Sequence, residues 1–321
     1  MACACGKVIL LGEHAVVYDV PAIVAGLGQG ASAQARANDE YCLNLAGVLH
    51  RASNGTELSQ AFTALLTELG MRGAPPVRVD ATLNIPAGMG LGASAALGVA
   101  IARAVRAHSQ LSAPHGASGD ESEWSGDDDN SAAVRDAAMA WERVFHGNPS
   151  GIDTAAAVYG GCFRFSKKGG VKPLQLAVDL PLSIALSGAP ASTKAMVEQV
   201  ANFRSRRPEV MEKTLAAIGS LVENAVLCMQ AGDLYGLGKL MDLNQVLLSG
   251  LFLSTPEIEN ACTVAREAGA LGAKLTGSGG GGAVIALSRS VDQATVLQAW
   301  KAAGIECFAA TVHANAQRGT V

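Results

Sequence analysis

Glycine is concentrated in two short segments of this chain, and each adjoins a predicted strand. Residues 84–94 read NIPAGMGLGAS, after an alternating apolar and polar segment and before an alanine-rich one. Residues 274–282 read KLTGSGGGG, and an aliphatic run follows them. Glycine loses more backbone freedom on folding than any other residue, so such segments are costly to order. We therefore expect a ligand or another stretch of backbone to approach both segments closely, although a tight turn or a linker has a similar composition.

The first segment has the properties of an anion-binding turn. Its glycines allow backbone N–H groups to approach an anion, and the helix predicted over residues 93–108 directs the positive end of its dipole at the same point. The glycines follow G-x-G-x-G, whereas a dinucleotide fingerprint requires G-x-G-x-x-G and an acidic residue about 20 positions later. A Walker loop requires Ser or Thr after Gly-Lys, and Gly6-Lys7 is followed by Val8. Both of these familiar sites are therefore excluded.

The composition sets broader limits. The chain has 321 residues, which is enough for about two domains. With 49% hydrophobic and 16% charged residues, a disordered chain is excluded. The net charge of −4 gives no reason to expect nucleic acid as a partner, and no apolar run reaches the ~18 residues of a membrane helix. The seven cysteines are scattered without zinc-site spacing, which predicts reduced thiols.

Hydrophobic periodicity predicts strands and helices in both halves without strict alternation, and this favours the α+β class. The predicted strands cover residues 7–11, 22–27, 77–85, 182–186, 283–287 and 306–312. The predicted helices cover residues 59–69, 93–108, 132–146, 153–157, 192–204, 209–231, 233–248, 255–269 and 292–303. Residues 109–131, rich in Gly, Ser and acidic side chains, are interpreted as a solvated loop rather than a metal site. A boundary at residue 180 divides the chain into an N-terminal domain, 1–180, and a C-terminal domain, 181–321.

Three collinear segments resemble the signature motifs of the GHMP small-molecule kinases: GKVILLGEHAVV at 6–17, PAGMGLGASAA at 86–96 and KLTGSGGGG at 274–282. ERVFHGNPSGID at 142–153 and MDLNQ at 241–245 extend the resemblance over nearly the whole chain. GEHAVVY at 12–18 differs from the GEHxDY of galactokinases. The resemblance is therefore closest to the family members that phosphorylate mevalonate.

This resemblance implies a two-domain α+β fold with the active site in the cleft between the domains. The N-terminal domain would be ribosomal-protein-S5-domain-2-like and would bind ATP, and the C-terminal domain would be ferredoxin-like. The implied reaction is ATP-dependent phosphorylation of the 5-hydroxyl of (R)-mevalonate to 5-phosphomevalonate, a step of isoprenoid and sterol precursor synthesis. Magnesium is the implied cofactor.

The resemblance also implies roles for individual residues. Nucleotide contacts fall on Lys7, Gly88, Met89, Gly90, Leu91, Gly92, Ala93 and Ser94, magnesium ligands on Ser94 and Glu142, and substrate contacts on Glu13, His14, Asp153 and Thr193. Asp153 would be the general base that accepts the proton of the substrate hydroxyl, and Lys7 would stabilise charge beside it. The family usually has two serines at positions 93 and 94, and Ala93 replaces the first of them, so the nucleotide contact of that serine is missing.

Each of these residues has a plainer alternative when it is taken alone. Glu142 could be a solvated acidic residue on a helix, and His14 could be a histidine with a purely structural role. Asp153 and Thr193 are both suited to cap a helix N-terminus.

Two alternatives to the implied activity stay open. One is a kinase of the same family for another small alcohol, such as galactose or homoserine. The other is a non-catalytic, ligand-binding relative. The second is disfavoured because Lys7, Ser94, Glu142 and Asp153, the residues that such a relative would be expected to lose, are all present.

The expected partners are ATP and mevalonate, without nucleic acid or a membrane, and a homodimer is compatible with the resemblance. The expected location is the cytosol. An organelle is the alternative, because Lys7-Val8, five further residues and His14-Ala15 resemble an N-terminal peroxisome-type targeting signal.

Overall fold

The computed structural model of the chain describes residues 1–111, 129–147, 149–189 and 191–314. The first half contains, in chain order, β1 (Ala2–Leu11), β2 (Ala22–Ala37), β3 (Cys42–Leu45), β4 (Val48–Arg51), α1 (Glu57–Glu68), β5 (Val77–Leu83), α2 (Ala93–Leu111), α3 (Asp129–His146), α4 (Ile152–Tyr159), β6 (Cys162–Ser166) and β7 (Gly170–Pro173). The second half contains β8 (Leu180–Leu186), α5 (Thr193–Arg206), α6 (Pro208–Ala231), α7 (Leu234–Gly250), α8 (Pro256–Glu267), β9 (Gly272–Thr276), β10 (Ala283–Leu287), α9 (Gln293–Ala302) and β11 (Cys307–Val312).

The first sheet is organised around the long strand β2. The strand order is β4-β3-β5-β2-β6-β7, and β1 also pairs with β2. The start of β2 pairs with β6 and its end with β5, both antiparallel, whereas β3 and β5 run parallel. Helices α1, α2 and α3 bury their apolar faces over this sheet in one core. Strand β1 runs along β2 from Ala2 opposite Ala33 to Leu11 opposite Ile23. Near its C-terminal end, the N–H of Ile9 donates to the hydroxyl of Thr276 in β9 at 2.8 Å, so this end of β1 also contacts the second sheet.

The second sheet has four antiparallel strands in the order β11-β8-β10-β9. Numbered along the chain, that order is 4-1-3-2, with helices between the first and second strands and between the third and fourth. This is the ferredoxin-like arrangement that the family resemblance implies for the C-terminal half. Its buried strands β9 and β10 pack against α8, and β9 also packs against α7.

The sequence does not predict the short strands β3, β4, β6, β7 and β9. Each has only four or five residues, and such a run carries too little alternation to be distinguished from a loop. The last of them, β9, includes residues 274–276 of the second glycine-rich segment, and all five of its residues are buried. Helix α3 begins at Asp129, three residues before its predicted start, and most of the acidic segment 109–131 lies outside the described residues.

Two further predictions concern the division of the chain and the thiols. Sheet membership changes between Pro173 at the end of β7 and Leu180 at the start of β8. The boundary at residue 180 falls at this change and stays a prediction. All seven cysteines are free, as expected from their spacing.

Helix α6 is long and apolar enough, by length and composition, to cross a membrane, and it is the single such helix among the described residues. Its buried side chains follow a three- and four-residue spacing: Met211, Leu215, Ile218, Val222, Ala225 and Met229. This spacing places them in one stripe, and α6 packs against α5 and α7. The pattern is typical of a helix that lies on a protein core.

Candidate active site

The first glycine-rich segment wraps around Lys7 of β1. The Lys7 N–H donates to the carbonyl of Leu91 at 2.8 Å, and its ammonium donates to the carbonyl of Gly90 at 2.9 Å. Gly92 has a φ of +73°, and a Cβ there would lie 2.9 Å from Cγ of Lys7. Only glycine fits this conformation and this space. Lys7 is consequently buried, with its ammonium held at one point against the loop.

The second glycine-rich segment approaches the first, which is one form of the close backbone approach expected for each of them. A Cβ added at Gly277 would lie 3.5 Å from the backbone of Gly90. On the other side, Gly280 donates to the carbonyl of Leu253 at 2.8 Å, and a side chain at Gly279 would collide with that same carbonyl. Residues 277–280 are therefore packed between two stretches of backbone, and their glycines allow both contacts.

Three side chains meet at the start of α2. The hydroxyl of Ser94, in the first turn of α2, donates to Oε1 of Glu142 on α3 at 2.5 Å. Nε1 of Trp141 donates to the same hydroxyl at 3.2 Å. The Trp141 ring lies over Gly98, where a Cβ would be 2.8 Å from its Cδ1 atom. Sequence reasoning missed Trp141, and the only signal for it was its position beside Glu142.

Glu142 is a buried carboxyl group in an unfavourable environment for its charge. Burial raises its pKa most, and the charge of Asp153 raises it further. The hydrogen bond from Ser94 and the charges of His146 and Lys7 act in the opposite direction. A cation bound to the carboxylate of Glu142 and the hydroxyl of Ser94 would stabilise the ionised form of Glu142.

The donors at this point fit magnesium. Ser94 and Glu142 offer hard oxygen ligands, and no three His, Cys, Asp or Glu side chains cluster as a metal cage in the described part of the chain. Magnesium in nucleotide sites is held by one or two carboxylates and takes its remaining oxygens from phosphate and water. The pair is therefore suited to a nucleotide-bound ion rather than to a permanent all-protein site.

Asp153 is placed by the N-terminus of α4. The N-cap of this helix is Gly151, in the left-handed conformation, and Asp153 lies in the first turn. Its Oδ1 atom is 3.3 Å from the ammonium of Lys7, and its side chain is 36% exposed. Asp153 thus borders the open side of the site, whereas the lysine that it pairs with is buried.

His14 and Thr193 both form a hydrogen bond with Ser278 of the second glycine-rich segment. Nε2 of His14 donates to the carbonyl of Ser278 at 2.8 Å, and burial lowers the pKa of the imidazole. The exposed Thr193 donates to the hydroxyl of the same serine at 3.4 Å. Thr193 is the first helical residue of α5, and Ser192 occupies the N-cap position that was the alternative for Thr193.

Glu13, the residue before His14, is buried in the protein. Its side chain has no exposed area, and it forms an ion pair with Lys274 of β9, which is equally buried. Its other oxygen accepts from Nδ2 of Asn244 on α7 at 3.0 Å. Sequence reasoning did not single out Lys274 or Asn244, although both lie in segments that carry the family resemblance.

The chain matches two protein-family models and is similar in sequence to known proteins. Residues 57–161 match the model described as the GHMP kinases N terminal domain, and residues 222–306 match that of the GHMP kinases C terminal. The mevalonate kinase of Pyrococcus horikoshii is 32% identical over 313 residues, which cover 90% of this chain and 88% of that protein. The chain belongs to the GHMP kinase family.

Two further comparisons extend over almost all of this GHMP kinase. The mevalonate kinase of Aeropyrum pernix is 31% identical over 326 residues, 97% of this chain and 95% of that protein. The crystal structure of L. major mevalonate kinase in complex with R-mevalonate superposes with a TM-score of 0.84 at 28% identity, covering 98% of this chain and 96% of that one. The two-domain fold expected from the sequence is therefore confirmed.

Most of the residues assigned from the sequence gather in two adjoining groups in this GHMP kinase. The first group contains Lys7, the loop from Gly88 to Gly92, Ser94, Glu142 and Asp153. The second contains His14 and Thr193 at Ser278. The close approach of Gly90 and Gly277 joins the two groups, and Glu13 stands behind the second.

Proposed function

We propose that this GHMP kinase transfers the terminal phosphoryl group of ATP to the 5-hydroxyl of (R)-mevalonate. The observation that carries the proposal is the pair of Lys7 and Asp153, with a buried ammonium 3.3 Å from a carboxylate that faces the open side of the site. Similarity to mevalonate kinases over most of the chain supports the choice of substrate.

In the proposed reaction, Asp153 accepts the proton of the substrate hydroxyl. The neighbouring ammonium of Lys7 stabilises negative charge on the attacking oxygen and on the transferred group. Phosphoryl transfer depends mainly on positioning and charge neutralisation, so a fixed lysine is valuable. Its two hydrogen bonds to the loop at Gly90 and Leu91 keep Lys7 fixed.

The triphosphate is proposed to lie on the loop from Gly88 to Ala93 and on the N-terminus of α2. Backbone N–H groups of the loop and the positive end of the helix dipole both favour phosphate there. Ser94 and Glu142 would hold magnesium, which supplies positive charge to the phosphates when it is bound. The bound ion would in turn compensate the negative charge of Glu142, which burial disfavours.

The substrate is proposed to contact His14, Thr193 and Asp153. His14 and Thr193 approach Ser278 from the two halves of the chain, and Asp153 marks the end where the reacting hydroxyl would lie. Glu13 has no exposed surface, so its proposed part in the substrate site is indirect.

The test is ATP turnover against a panel of mevalonate, phosphomevalonate, galactose and homoserine. We expect turnover with mevalonate and, in a parallel preparation of Asp153→Asn, almost none. Turnover with another alcohol but not with mevalonate would reject the substrate and keep the family activity. No turnover with any alcohol, from a folded protein that binds ATP, would favour the non-catalytic relative.

We further propose a cytosolic location. The residues that resemble a targeting signal, Lys7-Val8 and His14-Ala15, are buried in β1 and in the turn after it. A receptor could not read them on the folded chain. A homodimer and the absence of nucleic-acid and membrane partners stay predictions.

A further inference from the structure

His14 occupies a strained turn at the end of β1. Its φ is 58° and its ψ is −40°, and the N–H of Ala15 donates to the carbonyl of Glu13 at 2.6 Å. A hydrogen bond across one residue with positive φ is a γ-turn of the rare, strained type. Such a conformation persists only where the surrounding structure holds it.

The residues on the N-terminal side of this turn are both immobilised. Gly12 lies so close to β2 that a Cβ would be 2.5 Å from Cα of Ala22. Glu13 is held by Lys274 and by Asn244, so both oxygens of its carboxylate have partners. Lys274 and Asn244 belong to β9 and α7 of the C-terminal half, so the turn is anchored across the two halves of the chain.

Stability alone does not account for two buried charges at this place. Apolar side chains of similar volume usually replace a fully buried ion pair without loss of stability, because removing both charges from water is costly. Charged groups differ from apolar ones in fixing a definite geometry through directional hydrogen bonds. The residue whose geometry would benefit is the next one along the chain, His14, which reaches Ser278 at 2.8 Å.

We propose that Glu13 and Lys274 are positioning residues that hold the γ-turn and thereby set the imidazole of His14 in the substrate site. The inference deepens the proposed function, since it rests on a substrate role for His14. The pair acts through the backbone and does not touch the substrate. Asn244 fixes the second oxygen of Glu13, so the carboxylate cannot rotate.

The test compares His14 in two proteins by the side-chain nitrogen and proton NMR signals of its imidazole. Glu13→Gln alone leaves the Lys274 ammonium buried without its partner, so the variant to use is the neutral pair Glu13→Gln with Lys274→Met. The chain has six histidines, and a His14→Ala spectrum assigns the relevant signals. We expect the His14 signals of the neutral pair to shift or broaden while those of the other five stay in place. Unchanged His14 signals in a folded neutral pair would overturn the inference, whatever the turnover.

Turnover supplies the second arm of the experiment. The neutral pair should lower kcat/KM for the alcohol about tenfold in the wild-type background and have almost no further effect in His14→Ala. Equal losses in the two backgrounds would show that the pair acts elsewhere and would also overturn the inference. Wild-type turnover by His14→Ala would instead reject the substrate role of His14, and the NMR arm would still decide whether the pair positions its ring.

Asp242→Asn is the matched control. Asp242 accepts from the N–H of Ala273 at 3.0 Å and from Nε of Arg266 at 2.7 Å, so it anchors β9 one residue before Lys274. Its loss should loosen the same strand without moving the His14 signals. A shift in the control as large as that in the neutral pair would mean that any disturbance of β9 reaches His14, and it would remove the specific role of Glu13 and Lys274.

Discussion

The molecule has two lysine–carboxylate pairs that each take one residue from the segment 7–13. Lys7 pairs with Asp153 at 3.3 Å, and the aspartate side chain is 36% exposed. Glu13, six residues further on, pairs with Lys274, and neither side chain has exposed area. One pair is open to a ligand on its acidic side, and the other is closed on both sides.

The difference lies in what each pair leaves unsatisfied. Both oxygens of Glu13 have partners within the protein, so the pair is complete without a ligand. For Asp153 the paired atom is Oδ1, and the partly exposed carboxylate retains room for a further partner. The open pair is therefore suited to react with a ligand, and the closed pair is suited to hold the surrounding backbone in place.

Asp153→Asn tests the open pair and should have the largest effect on turnover. We expect kcat to fall by about 10³-fold or more, because the amide cannot accept the proton of the hydroxyl. Binding of magnesium–ATP, measured by calorimetric titration, should be retained. Asp179→Asn, which removes an exposed carboxylate that pairs with His313 at 2.8 Å, should leave both quantities unchanged. Near-normal turnover by Asp153→Asn would remove Asp153 from the mechanism.

Replacing each lysine by methionine tests the comparison through stability. Lys274→Met leaves a buried carboxylate unpaired, and we expect a loss of about 3–5 kcal/mol in the free energy of unfolding. Lys7→Met leaves Asp153 partly hydrated and should cost about 1 kcal/mol. Denaturant unfolding measures both values.

The comparison depends on Lys274→Met losing more stability than Lys7→Met. A loss for Lys7→Met equal to that for Lys274→Met would contradict the distinction between an open and a closed pair. The double variant Glu13→Gln with Lys274→Met should recover most of the stability lost by Lys274→Met, because it removes both buried charges.

The sequence identifies the open pair more readily than the closed one. Lys7, Ser94, Glu142 and Asp153 each lie within a recognisable motif, and the motifs resemble one family in a fixed order. The structure brings these residues together. Glu13 was also singled out, but its partner was not, because the contact joins residues 261 positions apart, one in the turn after β1 and the other in β9 of the second sheet. Nothing local in a sequence encodes the register between sheets.

The fold shows the same limit. Long helices such as α6 and α7 are readable from their periodicity and caps, and they are found within one or two residues of their predicted ends. Strands of four residues such as β3 and β4 form because a partner is present, β5 for β3 and β3 for β4, and the pairing of β3 with β5 is not local in the sequence. Trp141 is a comparable case in the site, since its hydrogen bond to Ser94 spans 47 positions.

Glu142→Gln sharpens the comparison with a third acid, which is buried like Glu13 but has no lysine in direct contact. Because burial and Asp153 raise the pKa of Glu142, its ionised form lowers the stability of the ligand-free protein above that pKa. The variant should therefore be as stable as the wild type or more stable by about 1 kcal/mol at neutral pH, in contrast to Lys274→Met.

The pH dependence of this small difference follows from the direction of the pKa change. As the pH falls through the raised pKa, Glu142 takes up a proton in the folded state and the unfavourable charge disappears. The advantage of Glu142→Gln should accordingly be largest at a pH above the raised pKa and should shrink as the pH falls through it. Thermal unfolding in EDTA measures it, since magnesium would mask the effect by compensating the carboxylate. A gap that widens on acidification would mean that the charge of Glu142 is favourable before any cation binds, and Glu142 would then resemble Glu13 in having its partner within the protein.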